Sequence, residues 1–294
     1  GTLTAYAGNI SVGHDWLVTG GTFTSGTGTV TLTGINSRTL RPSTHAFNNL
    51  TISGTGTYVL TGNGLTINGN LTISNGGLNS SASNFNIALK GNLSNSVGTG
   101  LNNNSNVFTF NGTANQTITG TTTFYDVNLS NPGNSIILNG NVIINRILNF
   151  TTNNLLKLNG YTLTMNNWIN TSITNHNTTD RFMIFDAGSK IVANGVGATE
   201  TVVFPVSLSS NPNDYCRADV LNSDAANTSF ELRSVCNYAN WQGTCSGGDE
   251  SIEASVKITW DIHSASTNAT TTLYWDQSKE QDRFNRNNCV INHH

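Results

Sequence analysis

The chain has 294 residues, enough for one large or two ordinary domains, with 10% charged residues, 36% hydrophobic residues, 29 Gly, 4 Pro and a formal net charge of −3. Long helices are excluded because Thr, Asn, Ser and Gly dominate and are poor helix formers, and disorder is excluded because the apolar third is laid out in alternation. No basic stripe with interleaved aromatics suggests nucleic acid as a partner, and no apolar run is long enough to cross a bilayer as a helix.

From the N-terminus the pattern is short β alternation, as in NLTISG, YVLTG and LTINGNLTIS, broken by NG, GT and GN turn signals roughly every 8 to 12 residues. The chain also matches itself at a displacement of 76 to 78 residues. Ile10, Val12 and Trp16 fall on Ile87, Leu89 and Leu93, and Gly34 and Leu40 fall on Gly112 and Ile118. Phe47, Leu50 and Ile52 fall on Phe124, Val127 and Leu129, and Leu65, Ile67, Leu71 and Ile73 fall on Val142, Ile144, Leu148 and Phe150. Apolar positions and turn residues are kept while polar identities drift, as expected of a scaffold under packing constraint.

Strands this short and even fit a parallel β-helix, or β-solenoid, over residues 1–175, built of about two 77-residue repeats. At roughly 20 residues per coil each repeat supplies three or four coils. Low charge follows from stacking: like charges about 4.8 Å apart repel, whereas stacked Thr and Asn can hydrogen-bond along the stack.

Charge shifts near residue 175. Residues 1–179 carry five basic and two acidic residues; residues 180–294 carry eight basic and fourteen acidic ones. The later stretch, with RFMIFDA, ETVVFPVS, TSFELRSVC, SVKITWDIHS and TTTLYWDQ, reads as about seven longer strands, the content of an immunoglobulin-like β-sandwich over 180–294. Alternation puts Val256, Ile258, Trp260 and Ile262 on one face, and Leu273 and Trp275 on that of a partner strand across the turn HSASTNAT. Trp260 and Trp275 read as core residues rather than a sugar-stacking platform.

All four cysteines, Cys216, Cys236, Cys245 and Cys289, lie in this second half and allow three pairings, of which a Cys236–Cys245 loop is preferred over the others, with four free thiols as the alternative. Without a CxxC pair, disulfides in an extracellular setting are a better expectation than a metal site.

Three classes of function compete. A polysaccharide-binding or polysaccharide-degrading β-helix needs carboxylates converging on one face, yet the first half offers only Asp15 and Asp126. His14, His45 and His176 stand without a GxSxG turn and read as surface or loop histidines. The acidic loops DYCRAD (214–219) and CSGGDESIE (245–253) carry no recognised Ca²⁺ signature and read as solvated loops. An ice-binding protein is suggested by the TxT triplets of TFTSGTGTVTLTG and TITGTTTF, but needs the triplet at one place in every coil, and the outward residues drift between the copies. The third class, a non-enzymatic structural or adhesive module with no catalytic residue, cofactor or metal, fits best. Its recognition elements would be loops 41–47, 175–181 and 236–245, with Trp241 as the candidate ligand contact.

The order of motifs adds a resemblance. GTFTSGTGTVTLTG, FNGTANQTITGTTTFYDVNLS, the pair NGNVIINRILNF and NGYTLTM, then VVFPVSLSSNPNDYCRADV, VKITWDIHSASTNATTTLYWDQ and FNRNNCVINHH together resemble the large cell-surface proteins of Bacteroidetes-type bacteria. Those are exported by the type IX secretion system and include adhesin-like and gliding-associated proteins. The resemblance implies an extracellular, cell-surface location, and partners among outer-membrane secretion or attachment machinery, other surface proteins or extracellular polysaccharide. It also implies that this chain is a fragment of a longer protein. Two departures are visible: the family pattern FPVG is FPVS at Phe204–Ser207, and its Tyr-x-Pro is replaced at Tyr215 by Tyr followed by Cys216, where a disulfide would take over from the proline.

Overall fold

The structure is a computed structural model and describes residues 1–177, 181–236, 256–265 and 268–288. It is all-β. Period-2 alternation sends every second side chain inward, and turn residues bend the chain after a few positions, so it winds into a three-faced coil of parallel strands. The first face is a ten-stranded parallel ladder that begins at Ile10–Val12 and ends at Val206–Ser207. Ile10, Val30, Leu50, Leu71, Leu93, Ile118 and Leu138 stand in register along it. One coil therefore takes 20 to 27 residues, with about ten coils in all.

The second face starts with Trp16–Leu17, Arg38–Arg41, Thr57–Leu60, Gly77–Asn79 and Leu101–Asn102. The third runs through Leu65–Ile67, Ile87–Leu89 and Val107–Phe110. From Thr122–Leu129 onward a single long strand turns the corner between them, with the register shifting between Phe124 and Asp126.

This geometry explains the self-match. A displacement of 77 residues equals three coils plus two further faces, so it carries each strand onto a different face. Ile10 of the first face falls on Ile87 of the third, Leu40 of the second on Ile118 of the first, and Leu65 of the third on Val142, which continues the second. The structural repeat is the single coil, and the 77-residue match registers strand periodicity.

One apolar cluster fills the interior from end to end. Trp16 packs edge-on against Phe23 and tilted against Phe47 at centroid distances of 4.8 and 5.2 Å. Midway, Phe108, Phe110 and Phe124 form a triangle at 4.9, 5.1 and 5.9 Å.

Asparagine solves the problem of backbone N–H groups at the corners, where no carbonyl of the previous coil is in line. Asn9 Oδ1 accepts from Thr29 N (2.9 Å), Asn49 from Asn70 N, Asn70 from Asn92 N and Asn92 from Thr117 N (each 2.8 Å). The other corners repeat the device: Asn86 accepts from Val107 N (3.0 Å), Asn115 from Ser135 N (2.9 Å) and Asn141 from Thr162 N (3.0 Å). Side-chain rungs such as Asn145–Asn166–Asn194, at 3.1 Å each, extend the pattern. Removing the acceptor in Asn70→Ala is expected to lower unfolding free energy by about 1 kcal/mol, the net worth of an exposed neutral hydrogen bond. Asn70→Asp, which keeps the acceptor, should cost less, and equal losses in urea titrations would show that this bond is not what matters.

The parallel ladder does not stop where the charge changes. Asn154–Lys157 pairs with Arg181–Ile184, Thr162–Met165 with Lys190–Val196, and Met183 with Val206. Lys190–Val196 then pairs antiparallel with Thr228–Cys236, which pairs antiparallel with Thr259–Ser264. A second antiparallel sheet joins Thr201–Phe204, Ala218–Asn222 and Ala269–Leu273. These strands share the solenoid's apolar cluster, so the region beyond residue 175 continues the core rather than starting a new one.

The strands on either side of HSASTNAT are not partners, contrary to the hairpin read from the sequence. Thr259–Ser264 and Ala269–Leu273 lie in different sheets, the first paired with Thr228–Cys236 and the second with Ala218–Asn222. Their tryptophans meet instead across the interior: Trp260 and Trp275 are 6.3 Å apart, Trp260 Nε1 donates to Cys216 O (2.7 Å), and Trp275 Nε1 donates to Glu280 Oε1 (3.0 Å). Both pack against the core, as alternation indicates.

Candidate functional site

The candidate residues of the solenoid are held apart. Asp15, exposed on the first coil, accepts from Thr39 N (2.8 Å). Asp126 sits on the far side of the register shift several coils later, its side chain 6% exposed. Arg146 of the next coil grips it: Nε donates to Oδ1 at 2.8 Å, Nη2 donates to Oδ2, and Ile147 N donates to Oδ1 at 3.1 Å. The guanidinium also covers the Tyr125 ring at 5.0 Å. Beside this pair runs an open groove of about 470 Å³, lined by Val107, Asn128, Ile147, Asn149 and Thr174 among others. Among the described residues Asp126 is the one carboxylate on its wall, and both its oxygens are occupied. Glycoside hydrolysis by two carboxyl groups needs a second acid at about 5–10 Å, and none lines this groove among the described residues.

The histidines are scattered. His14 is exposed, His45 is half-buried near the second corner, and His176 is half-buried, where burial and the nearby Arg217 push its imidazole below the usual range. The acidic loop 214–219 is tied up: Asp214 pairs with Lys279 and accepts a hydrogen bond from Ser209 Oγ, and Asp219 pairs with Arg217, whose Nε donates at 2.6 Å. Burial opposes the Asp214 charge, but these hydrogen bonds hold its carboxyl below the usual range. Among the described residues no three His, Cys, Asp or Glu side chains converge to hold a metal.

Cys216 is buried, burial pushes its thiol up to about 12, and it forms no disulfide among the described residues. The turn before it is closed by backbone pairing, with Cys216 N donating to Val206 O (2.9 Å) after the short 3₁₀ turn Pro212–Asp214. Cys236 ends a strand whose backbone pairs with Thr259. Its side chain, together with Cys245, Cys289, Trp241 and the loop 245–253, lies outside the described residues.

What sequence reading missed is on the first face. Its central outward positions in successive coils are Ser11, Thr31, Thr51, Thr72, Ser94 and Thr119, aligned in register. On one side stands the column Asn9, Thr29, Asn49, Asn70, Asn92, Thr117, whose asparagines are locked by the corner bonds. On the other, Thr33, Ser53 and Ser74 follow. The other two faces are mixed: Thr66, Ala88, Thr109 and Asn128 on the third, Thr39, Val59, Asn79 and Asn102 on the second. The drift of outward residues between 77-residue copies thus came from comparing the first face with the third. A count at the coil spacing would have found the column.

From the eighth coil the first face changes character, as Leu155 and Ile184 are covered by Tyr215. No helix among the described residues is long and apolar enough to cross a membrane. No protein-family model, no curated protein and no solved structure matches this chain.

Proposed function

We propose that this chain is a non-enzymatic structural and adhesive module of a large bacterial surface protein, a stiff spacer that holds further domains away from the cell. The observation that carries the proposal is the single apolar core running unbroken through about ten coils. Bending such a stack opens gaps between its coils, so stiffness follows from close packing. Export by a type IX system, an extracellular cell-surface location, and contact with attachment machinery, other surface proteins or polysaccharide belong to the same reading. They rest on the resemblance of motif order. The finer reading of the C-terminal half as an immunoglobulin-like sandwich rests on its strand content, and is supported by the antiparallel strands that end the ten-stranded sheet and by the separate three-stranded antiparallel sheet. A disulfide between Cys236 and Cys245, with Trp241 in its loop, is part of this proposal.

Brief protease treatment of intact source cells, with mass spectrometry of the released peptides, tests it. Peptides of this sequence released from a much larger polypeptide are expected. Recovery only from a small protein in the culture fluid, or polysaccharide cleavage by the purified chain, would replace the spacer with a secreted enzyme.

A further inference from the structure

We infer that the first face of the first six coils is a binding surface for an ordered lattice of water, that is, for the surface of an ice crystal. Adjacent parallel strands lie about 4.8 Å apart and alternate residues along a strand about 6.6 Å apart, so the central hydroxyls and the flanking column Asn9, Thr29, Asn49, Asn70, Asn92, Thr117 form a two-dimensional net of polar groups. The central column Ser11, Thr31, Thr51, Thr72, Ser94 and Thr119 supplies one such group per coil. None of these six hydroxyls is hydrogen-bonded to another described residue, and each can both donate and accept. They are free to continue a hydrogen-bonded lattice.

Rigidity distinguishes this net from an ordinary polar surface. A single hydroxyl–water contact is exchanged without gain, but an array already held at fixed spacing loses little conformational freedom when a periodic partner docks. Here the backbone is fixed by parallel ladders and the neighbouring column by amide-to-backbone bonds of 2.8–2.9 Å. The threonine methyl groups between the hydroxyls are apolar and favour water that keeps its own hydrogen bonds around them.

Charge and shape select the occupant. No Asp, Glu, Lys or Arg lies on the six strands between Asn9 and Thr119, so the face complements an uncharged partner and offers nothing to nucleic acid or an ionic polymer. Its six strands carry no outward aromatic ring on which a sugar could stack. The remaining uncharged, periodic, hydrogen-bonding surface is ice. This inference does not depend on the spacer role.

The test compares wild type, a Thr51→Lys/Thr72→Lys double variant and Thr66→Lys, which changes an exposed threonine of the third face. Each is added to polycrystalline ice held just below melting, and grain growth is followed by microscopy; crystal shape in the presence of each protein is recorded, and circular dichroism checks the fold. Wild type and Thr66→Lys should arrest grain growth and facet the crystals, and the double variant should lose both effects while keeping its β spectrum. Unrestrained growth of unfaceted crystals with wild type overturns the inference without requiring any variant to fold. So does a double variant that keeps full activity, or a wild type that sediments with microcrystalline uncharged polysaccharide yet leaves ice growth unchanged.

Discussion

Phe124→Ala is expected to lower the unfolding free energy by about 3–5 kcal/mol, the range for truncating a fully buried phenylalanine. Phe124 is 0% exposed and forms a triangle with Phe108 and Phe110, so truncation removes two ring contacts and leaves a void lined by side chains of adjacent coils. Those neighbours cannot collapse inward, because their backbones are pinned at the strand spacing by the parallel ladders above and below. In a stacked array each coil is stabilised by its neighbours, so the loss weakens coupling between the halves as well as the local coil. Guanidinium titration followed by tryptophan fluorescence and circular dichroism should then show the two probes separating, since Trp16 and Trp168 report from opposite sides of the lesion. A loss below about 1 kcal/mol would mean that the site relaxes as a flexible core does.

Gly54→Ala should be nearly as harmful, at about 3 kcal/mol, for the opposite reason. A Cβ at Gly54 would lie 2.2 Å from Gly34 O and 2.3 Å from Thr33 C, both backbone atoms of the preceding coil. Gly76 in turn has Gly54 O only 2.3 Å from its own hypothetical Cβ, so the corner is a column of close backbone approaches. No rotamer change can relieve a clash with backbone; the coils must separate and their hydrogen bonds lengthen. Gly13→Ala is the control, because the nearest atom to its Cβ would be Thr33 Oγ1 at 3.7 Å. That substitution should be neutral or stabilise by up to about 1 kcal/mol. Equal urea midpoints for the two variants would count against stacking as the origin of the glycine content.

The coiled part of the fold was written in local chemistry. Alternation in NLTISG and LTINGN sets strands, NG and GN set corners, and the poverty of charge is the trace of stacking at strand spacing. Longer-range relations were harder. Strands of three faces have the same texture, so a shift by eleven faces looks like a duplication, and it put Ile10 opposite Ile87 although the two point from different faces. That shift also concealed the Ser11–Thr119 column, the candidate site, because Thr51 was compared with Asn128 rather than with Thr72. Near residue 175 composition changes because the outer surface changes partners, while inward Met165, Met183 and Ile191 continue the same core. Nothing local to HSASTNAT says that its flanking strands belong to different sheets; that choice is made by Thr228–Cys236 and Ala218–Asn222, well away in sequence.

The corner asparagines have a direction. In the bonds from Asn9, Asn49, Asn70, Asn92, Asn86, Asn115 and Asn141, the acceptor belongs to the earlier coil and the donor to the later one. A finished coil therefore presents ready-made sockets toward the C-terminus. A chain appearing N-terminus first can seat each new segment on a template as soon as it emerges, without waiting for distant parts. Assembly would run as a one-way zipper. A denatured full-length chain, free to start anywhere, would lack that order, and its refolding should be slower and more prone to misregistered coils than folding during synthesis.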